Sequence, residues 1–341
     1  MAVMIDRPRS EKCLLMTAFP PFRARPMRFG ALPTPRLVMR DFWDEYFWLP
    51  ENVSWTDMKD TDSIRYPHVS DLRYTIIFGF ALLQCFVSIS LMSSLTDLAD
   101  TSGIVRFSPY RLDWWLDLFS FDATLLILLK EPQLKDVSEC WRGWPHHNIS
   151  SAVWWYYIIE ASFYWALFIG TLCVDVRRAD FVQMMLHHGI TIALLYVSWS
   201  MNMVRVGTLV LFVHDAADIF IEIAKIVRYA NWQTTLNVLF VIFIVVWTAT
   251  RLVFYPFWII RSVWFDAPEL IQSSYRWTNL WQRPLVPRLL MVMLSSLLVL
   301  HIFWTYVILK VAYKSVQGGE LDDVREESDS DEDNAAKTKE D

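Results

Sequence analysis

Five apolar stretches, each of about 20 residues, constrain this 341-residue chain more than any other feature. They lie near residues 74–94, 152–174, 182–200, 236–260 and 289–309. A helix needs roughly 20 mainly apolar residues to cross about 30 Å of hydrocarbon, and it satisfies its own backbone hydrogen bonds there. The stretches therefore predict an all-α integral membrane protein.

Two further segments have the length of membrane helices but carry acidic side chains. The segment near residues 113–130 is interrupted by Asp117 and Asp122. The segment near residues 203–226 contains four ionisable residues, which are His214, Asp215, Asp218 and Glu222. Counting both, we predict about seven transmembrane helices, the first of them at residues 73–94.

The basic residues of the short loops predict the orientation of the chain. Lys and Arg are enriched on the cytosolic side of membrane proteins, and here they fall together at Arg106, Arg111, Arg177, Arg178, Lys225, Arg228, Lys310 and Lys314. The N-terminus is then lumenal, with residues 42–72 as a lumenal segment. The extension at residues 1–41 is basic and is typical of a targeting segment. We expect it to be removed, or translation to start later, at Met39.

Acidic residues are concentrated at the C-terminus. The formal net charge is −6, and residues 320–341 alone contain 11 acidic and 3 basic side chains. Such a segment cannot bury enough apolar surface to fold. Residues 311–341 are therefore predicted to be a cytosolic acidic tail, disordered after Gly319. The rest of the chain has no basic surface of the kind that binds nucleic acid.

Four positions match modification patterns. Asn52 and Asn148 each begin an Asn-X-Ser sequon on the predicted lumenal side, and we predict glycosylation at Asn52. Ser328 and Ser330 each precede an acidic residue by three positions, a pattern that favours phosphorylation by an acidophilic kinase. Each phosphate adds up to about two negative charges to the tail.

Glycine and cysteine usage argues against two kinds of site. The nine glycines form neither a GxGxxG nor a GxxxxGK[ST] motif, so no phosphate-binding loop is predicted. The four cysteines have no CxxC spacing and are too sparse for a disulfide scaffold; they are Cys13, Cys85, Cys140 and Cys173. We expect the protein to need neither a metal nor a cofactor.

Ionisable side chains at membrane depth are costly unless they face a partner or water, so they indicate function. One predicted helix carries His187 and His188, with Thr191 on the same face. The next carries a polar stripe with spacings of three, four and three residues, formed by Asp215, Asp218, Glu222 and Lys225. The helical rise places the imidazoles roughly 10 Å and Asp218 roughly 12 Å from the cytosolic surface. The histidines and the aspartates can therefore meet.

An imidazole oriented by a carboxylate is a general base near neutral pH. We predict His187 and His188 as catalytic residues, with Asp215 or Asp218 fixing the tautomer and stabilising the imidazolium. Two other interpretations stay open. One is a purely structural hydrogen-bond network between the helices. The other is a metal site, since His and carboxylate suit zinc or iron, formed by His187, His188, His214 and Asp218.

Other ionisable residues in the membrane segments are expected to have supporting roles. His214 lies about 100° round the helix from Asp215 and is predicted to pack or to support the site. Glu160, Arg251 and His301 each stand alone in an apolar stretch. We predict that these three form hydrogen bonds between helices.

This set of residues resembles the signature of ceramide synthases. Order, spacing and residue type agree over about 50 residues, in the segments Asp175-Val-Arg-Arg-Ala-Asp-Phe181, His187-His188-Gly-Ile-Thr191, Asn202-Met-Val-Arg205-Val-Gly207, His214-Asp215-Ala-Ala-Asp218 and Glu222-Ile-Ala-Lys225. The similarity extends from about residue 42 to residue 333 and includes the segment Phe42–Pro50.

The resemblance implies that six of the helices form a TLC-type bundle, with the TLC domain at residues 113–310, in the endoplasmic reticulum membrane. The implied substrates are acyl-CoA and a sphingoid base, and the products are ceramide or dihydroceramide and free CoA. The family's paired His and Asp map onto His187, His188, Asp215 and Asp218. Thr191, Asn202, Arg205, His214 and Glu222 are implied as supporting residues. A homo- or hetero-dimer is compatible with this family.

Coenzyme A is polyanionic, so basic residues at the cytosolic mouth are candidates to bind its phosphates. They are Arg177, Arg178, Lys225 and Arg228. The alternative is that they only set the orientation of the chain.

The sequence departs from many animal members in one respect, because only about 18 residues, with no basic character, join the first two predicted helices in place of a homeobox-like insert. Two rival functions are a non-catalytic TLC protein, either translocon-associated or a lipid carrier, and a fatty-acid elongase. A carrier does not need paired His and Asp, and the HxxHH motif of the elongases is absent.

Overall fold

The computed structural model describes residues 45–51, 53–61, 63–99, 125–173, 180–230, 232–280 and 282–317. Within these ranges the regular structure is entirely helical, as predicted. Several predictions concern residues or side chains outside the described part: residues 1–41, the first half of the segment at 113–130, Asn52, Arg177, Arg178, the side chain of Lys225, and the tail with Ser328 and Ser330.

Eight α-helices are described, and their bounds follow the apolar pattern of the sequence. They are α1 (Glu45–Trp48), α2 (Leu72–Ala99), α3 (Ser151–Cys173), α4 (Phe181–Ser200), α5 (Val204–Tyr229), α6 (Gln233–Trp247), α7 (Arg261–Ile271) and α8 (Val286–Val316). Short 3₁₀ turns at Trp55–Met58, Val69–Asp71, Pro132–Leu134 and Val137–Cys140 lie in the connections. A π-helical segment, Thr248–Ile260, joins α6 to α7 without a break.

Five helical spans of the described residues are long and apolar enough to cross a membrane. They are Val69–Ser88, Ser151–Cys173, Phe181–Ser200, Gln233–Ile271 and Val286–Val316, one for each of the five predicted stretches. Helix α5 has 26 residues, so it is about 39 Å long and can also cross, although it is more polar. The count of seven stays a prediction.

The outer surface of the bundle is apolar, as expected for a surface in contact with lipid. On α6, Val238, Val241 and Val245 recur on one face and are each more than half exposed. Monomeric soluble proteins rarely expose apolar surface of this kind continuously. The chain is therefore a multi-pass membrane protein.

Helices α3, α4 and α5 form the centre of the bundle, with α2 packed against the outside of α3. One buried cluster joins α2, α3, α4 and α5 around Tyr157 and Trp199. A larger one joins α4, α5, the π-helical segment and α8. Both clusters therefore hold α4 and α5, which carry the predicted catalytic residues, in fixed positions.

A loop at residues 130–149 closes one end of the bundle. The indole of Trp144 donates a hydrogen bond to the carbonyl of Met201 (2.8 Å), and the indole of Trp141 donates to Ser262 Oγ (2.7 Å). His147 is neutral in this loop, because burial lowers its pKa to about 4. Its Nε2–H donates to the carbonyl of Arg142 at 2.7 Å.

Asn202 fixes this loop to the turn between α4 and α5. Its backbone is left-handed, with φ of 51°, a conformation that Asn tolerates better than most residues. Its buried amide Nδ2 donates to the carbonyls of Pro145 (2.6 Å) and His147 (2.9 Å). Nearby, Arg205 donates to the carbonyl of Glu139 at 2.9 Å.

These contacts predict a stability defect for variants of Asn202. Asn202→Gly keeps the backbone conformation but removes both hydrogen bonds, and we expect it to lower the free energy of unfolding by about 2 kcal/mol. Asn202→Ala should lose about 1 kcal/mol more, because alanine disfavours the left-handed region. Denaturant titration in mixed micelles measures both values. Equal stability of the alanine and glycine variants would show that the backbone conformation carries no cost.

Candidate active site

Ionisable side chains from four helical segments gather in the interior of the bundle. His187 and His188 come from α4, His214 and Asp218 from α5, Arg251 from the π-helical segment, and His301 from α8. His188, His214, Arg251 and His301 are buried. We call this set of six residues the histidine cluster.

The imidazole of His187 is the ring that connects α4 to α5. It lies parallel to the ring of His214, with 6.3 Å between centroids and 20° between planes. His188 lies on its other side at 5.5 Å, and the edge of Trp304 closes a third side at 5.3 Å. The sequence placed the paired histidines and the aspartate motif at one depth, and in the structure His214, which precedes Asp215, has its ring beside that of His187.

Tyr164 on α3 borders both catalytic candidates. Its ring centroid lies 6.5 Å from that of His187 and 6.4 Å from that of His188, edge-on in both cases. The Nδ1 atoms of His187 and His188 are buried and make no hydrogen bond within the described residues. The histidines are therefore held by packing on their rings, which leaves ring nitrogens free for chemistry.

The protonation state of His214 can be deduced from its two partners. Its Nδ1 lies 2.6 Å from the carbonyl oxygen of Val210, and its Nε2 lies 3.0 Å from Nε2 of His301. A carbonyl only accepts, so Nδ1 of His214 carries the proton, and its Nε2 in the neutral ring accepts from His301. Both nitrogens of His214 are thus engaged.

Arg251 ties the cluster together. Its guanidinium donates to the carbonyl of His214 (2.6 Å) and to Oδ1 of Asp218 (3.2 Å). Its other terminal nitrogen lies 3.4 Å from Nε2 of His301, and the group stacks over the indole of Trp247 at 4.8 Å. Arg251 and His301 each bond a residue of α5, so both make hydrogen bonds between helices, as predicted. Their central position beside the catalytic candidates was not anticipated.

The two aspartates have different surroundings. Asp218 receives the hydrogen bond from Arg251 while 45% of its side chain is exposed. Asp215 accepts a hydrogen bond from the hydroxyl of Tyr156 on α3 at 3.3 Å. Tyr156 was not among the site residues predicted from the sequence.

The supporting residues that the resemblance implied lie in three places. The hydroxyl of Thr191 donates to the backbone carbonyl of His187 at 2.8 Å, within the same helix. Glu222 is buried one turn beyond Asp218. Asn202 and Arg205 bind the 130–149 loop, and the helical rise puts them about 20 Å along α4 from the histidine pair. They support the fold at the other end of the bundle and do not contact the histidine cluster.

The two remaining expectations for the site concern metal and phosphate. Among the described residues, no group of three or more His, Cys, Asp or Glu side chains is arranged to hold a metal ion. His214, one of the four ligands considered, uses both nitrogens for hydrogen bonds. Arg228 is exposed near the C-terminal end of α5. The sequence assigns this end of the helix to the cytosol.

An apolar cavity begins at the histidine cluster. It is narrow, with a volume of about 30 Å³. Tyr164, Thr191 and His214 line its upper end, next to His187. The rest of its wall is mainly aliphatic and comes from α4, α5 and α8, with Leu194, Leu195, Val206, Val210, Leu211, Leu290, Leu294 and Leu297. The site thus joins paired imidazoles to a space suited to a hydrocarbon chain.

Comparisons with known proteins identify the family of the chain. The family profile of the TLC domain matches residues 113–310. The chain is 46% identical to the ceramide synthase hyl-2 of Caenorhabditis elegans, over 84% of this chain and 93% of that protein. It is 38% identical to ceramide synthase hyl-1 of the same organism, over 85% and 84%. It is 32% identical to human ceramide synthase 5, over 82% and 84%. With a matching domain and relatives of this similarity along most of its length, the chain belongs to the ceramide synthase family of TLC-domain proteins.

Proposed function

We propose that this protein transfers a fatty acyl group from acyl-CoA to the amine of a sphingoid base, giving ceramide or dihydroceramide and free CoA. The observation that carries the proposal is the junction of the histidine cluster with the apolar cavity. The cavity suits the acyl chain, and the buried imidazoles lie where its carboxyl end would be. The names of the relatives support the same activity.

In the proposed reaction, a C–N bond forms at the acyl carbonyl and the thioester C–S bond breaks. One of His187 and His188 takes a proton from the attacking amine and returns it to the leaving thiolate. In the alternative route the same imidazole attacks the thioester first, and the amine then displaces it from an acyl-imidazole. Both routes need an unprotonated ring nitrogen, and the unbonded Nδ1 atoms of the two histidines are suited to supply it.

Exclusion of water favours transfer to the amine over hydrolysis. His188 is 3% exposed, and aromatic rings of Tyr164 and Trp304 surround the histidine pair. A dry site prevents hydrolysis of a reactive acyl intermediate. The aspartates act through neighbours in this scheme: Asp218 orients Arg251, which binds the backbone of His214, and the ring of His214 packs on His187.

We propose the endoplasmic reticulum as the location, with the N-terminus lumenal and the C-terminus cytosolic. The basic loop residues support this orientation, because it brings Arg177, Arg178, Lys225 and Arg228 to the cytosolic end of α4 and α5. Coenzyme A phosphates would bind there as charge partners. Glycosylation at Asn52 and phosphorylation at Ser328 and Ser330 are further predictions of this topology, and mass spectrometry of the cellular protein tests all three. A homo- or hetero-dimer stays a prediction, which cross-linking in membranes tests.

An acyl-transfer assay in membranes that contain the protein tests the proposed function. Sphinganine and a panel of acyl-CoA lengths are supplied, and ceramides are measured by mass spectrometry. We expect ceramide formation that depends on both substrates. A protein that inserts normally but forms no ceramide with any chain length would be a non-catalytic TLC protein, and the proposal would be wrong.

A further inference from the structure

The apolar cavity has a closed lower end formed by two hydroxyl groups. The hydroxyl of Tyr157 on α3 lies 2.7 Å from Oγ of Ser198 on α4, and both side chains are buried. Both residues line the cavity, as does Gly207 on α5. Three helices therefore meet at this end. We call Tyr157, Ser198 and Gly207 together the end wall.

The end wall is rigid because Tyr157 is fixed from three directions. Its ring packs on Trp199 with 5.4 Å between centroids, and its hydroxyl is bonded to Ser198. On the third side, a Cβ atom at position 207 would overlap the tyrosine hydroxyl. Only glycine leaves room there, so the small residue and the tyrosine fit together as a pair.

The space beyond the end wall is polar. A second, smaller cavity, of about 10 Å³, is lined by Gln133, His147, Asn202 and Arg205. It lies past Tyr157, because Val153, one turn earlier on α3, and Thr208, next to Gly207, also line it. Gln133 Oε1, His147 Nδ1 and Asn202 Oδ1 are buried there without a hydrogen bond within the described residues. A hydrocarbon chain placed there would leave these buried polar groups without hydrogen-bond partners, which is unfavourable.

The distance from the histidine pair to the end wall limits the length of an extended chain in the cavity. His187 and Ser198 are 11 residues apart on α4, which corresponds to about 16 Å along the helix. A chain whose carboxyl carbon is held at the histidines can extend over this distance and no further. Longer chains would have to fold back or stay partly outside the cavity.

We propose that Tyr157, seated against Ser198 and Gly207, determines the longest acyl chain that the enzyme accepts. This inference rests on the proposed function, because it requires an acyl chain in the cavity. It assigns to Tyr157 a role in specificity, separate from the chemistry at the histidine pair.

The test is the ceramide profile formed from an equimolar mixture of acyl-CoA lengths. Tyr157→Val removes the ring and opens space toward Gly207, so we expect the profile to move to longer chains. Each additional methylene that becomes buried should raise the relative turnover of that chain by about fourfold. Tyr157→Leu keeps more of the packing and should give a smaller shift in the same direction. Tyr157→Leu still tests the proposal if the valine variant does not fold.

Tyr196→Val is the matched control. Tyr196 is on the same bundle, and its hydroxyl bonds Thr75 of α2 at 2.9 Å, away from the cavity lining. We expect its profile to equal that of the wild type. If Tyr157→Val and Tyr157→Leu form ceramide with an unchanged profile, Tyr157 does not set chain length, although the proposed function stands. If the wild type forms no ceramide, the proposed function itself fails.

Discussion

Replacing His188 with alanine is expected to abolish ceramide formation while the protein still inserts into the membrane. The ring is buried, lies 5.5 Å from that of His187 and carries an Nδ1 without a hydrogen bond. Loss of a general base lowers turnover by about 10²- to 10⁴-fold, and loss of a nucleophile by at least as much. We therefore expect ceramide in the assay to fall by at least about 100-fold.

The packing around His188 predicts that the variant remains folded. Alanine leaves a small cavity beside Tyr164 but removes no hydrogen bond from another described residue. Size-exclusion chromatography in detergent checks that the variant is monodisperse. His146→Ala is the matched control, because His146 is exposed in the 130–149 loop and its side chain bonds the hydroxyl of Tyr66, far from the histidine cluster in the chain. Near-normal turnover by a folded His188→Ala protein would exclude His188 as catalytic.

The His187→Ala variant should distinguish a chemical role of His187 from a structural one. His187 touches His214 and Trp304 as well as His188, so its loss disturbs the packing between α4, α5 and α8. Incubation of each variant with acyl-CoA alone, followed by mass spectrometry of the intact protein, tests the two routes. An acyl group retained on His187→Ala but not on His188→Ala would assign the acyl-imidazole to His188. Absence of an acyl adduct from the wild type as well would favour direct attack.

The membrane helices could be predicted because their physical requirement is simple. A helix needs about 20 apolar residues to cross the hydrocarbon, so the predicted stretches at 152–174 and 182–200 nearly coincide with α3 and α4. The shared depth of His187 and the aspartate motif was also predictable. It needs only the helical rise and a short connection between neighbouring helices.

The partners of these residues could not be predicted, because a sequence does not state how each helix is rotated. The spacing of Asp215 and Asp218 gives one face of α5, yet Asp215 bonds Tyr156 of α3 and Asp218 bonds Arg251. His214, predicted to pack or to support the site, stacks on His187, although its partner ring could not be identified from the sequence. Rotation depends on how large side chains of several helices fill the interior together.

The π-helical segment explains why the role of Arg251 was underestimated. In an apolar stretch a single arginine predicts a hydrogen bond to another helix and nothing more. The segment Thr248–Ile260 buries Arg251, Tyr255 and Ile259 at intervals of four residues. This brings the guanidinium and the tyrosine to the histidine cluster from the same side, with Tyr255 5.0 Å from His301 between ring centroids. No simple pattern of apolar residues predicts π-helical winding, which is rare and often found at functional sites.

The second large effect is expected from Arg251→Met. The substitution keeps a long apolar side chain but removes the donor to Asp218 and to the carbonyl of His214. Breaking a buried ion pair by removing one partner commonly costs about 3 to 5 kcal/mol. Because 45% of the Asp218 side chain is exposed, we expect the lower end, about 3 kcal/mol. Turnover should fall as well, since α5 loses the contact that fixes His214 beside His187.

A double-mutant cycle shows whether the stability lost in Arg251→Met comes from the interaction between Arg251 and Asp218. Arg251→Met, Asp218→Asn and the double variant are compared by denaturant titration in mixed micelles. If the guanidinium acts through Asp218, the two changes are not additive, and we expect a coupling of about 1 to 3 kcal/mol. Arg251→Lys keeps the charge but lacks the planar fork that reaches two acceptors, so it should recover stability only in part. Additive effects would mean that Arg251 stabilises the bundle through His214 and Trp247 and not through Asp218.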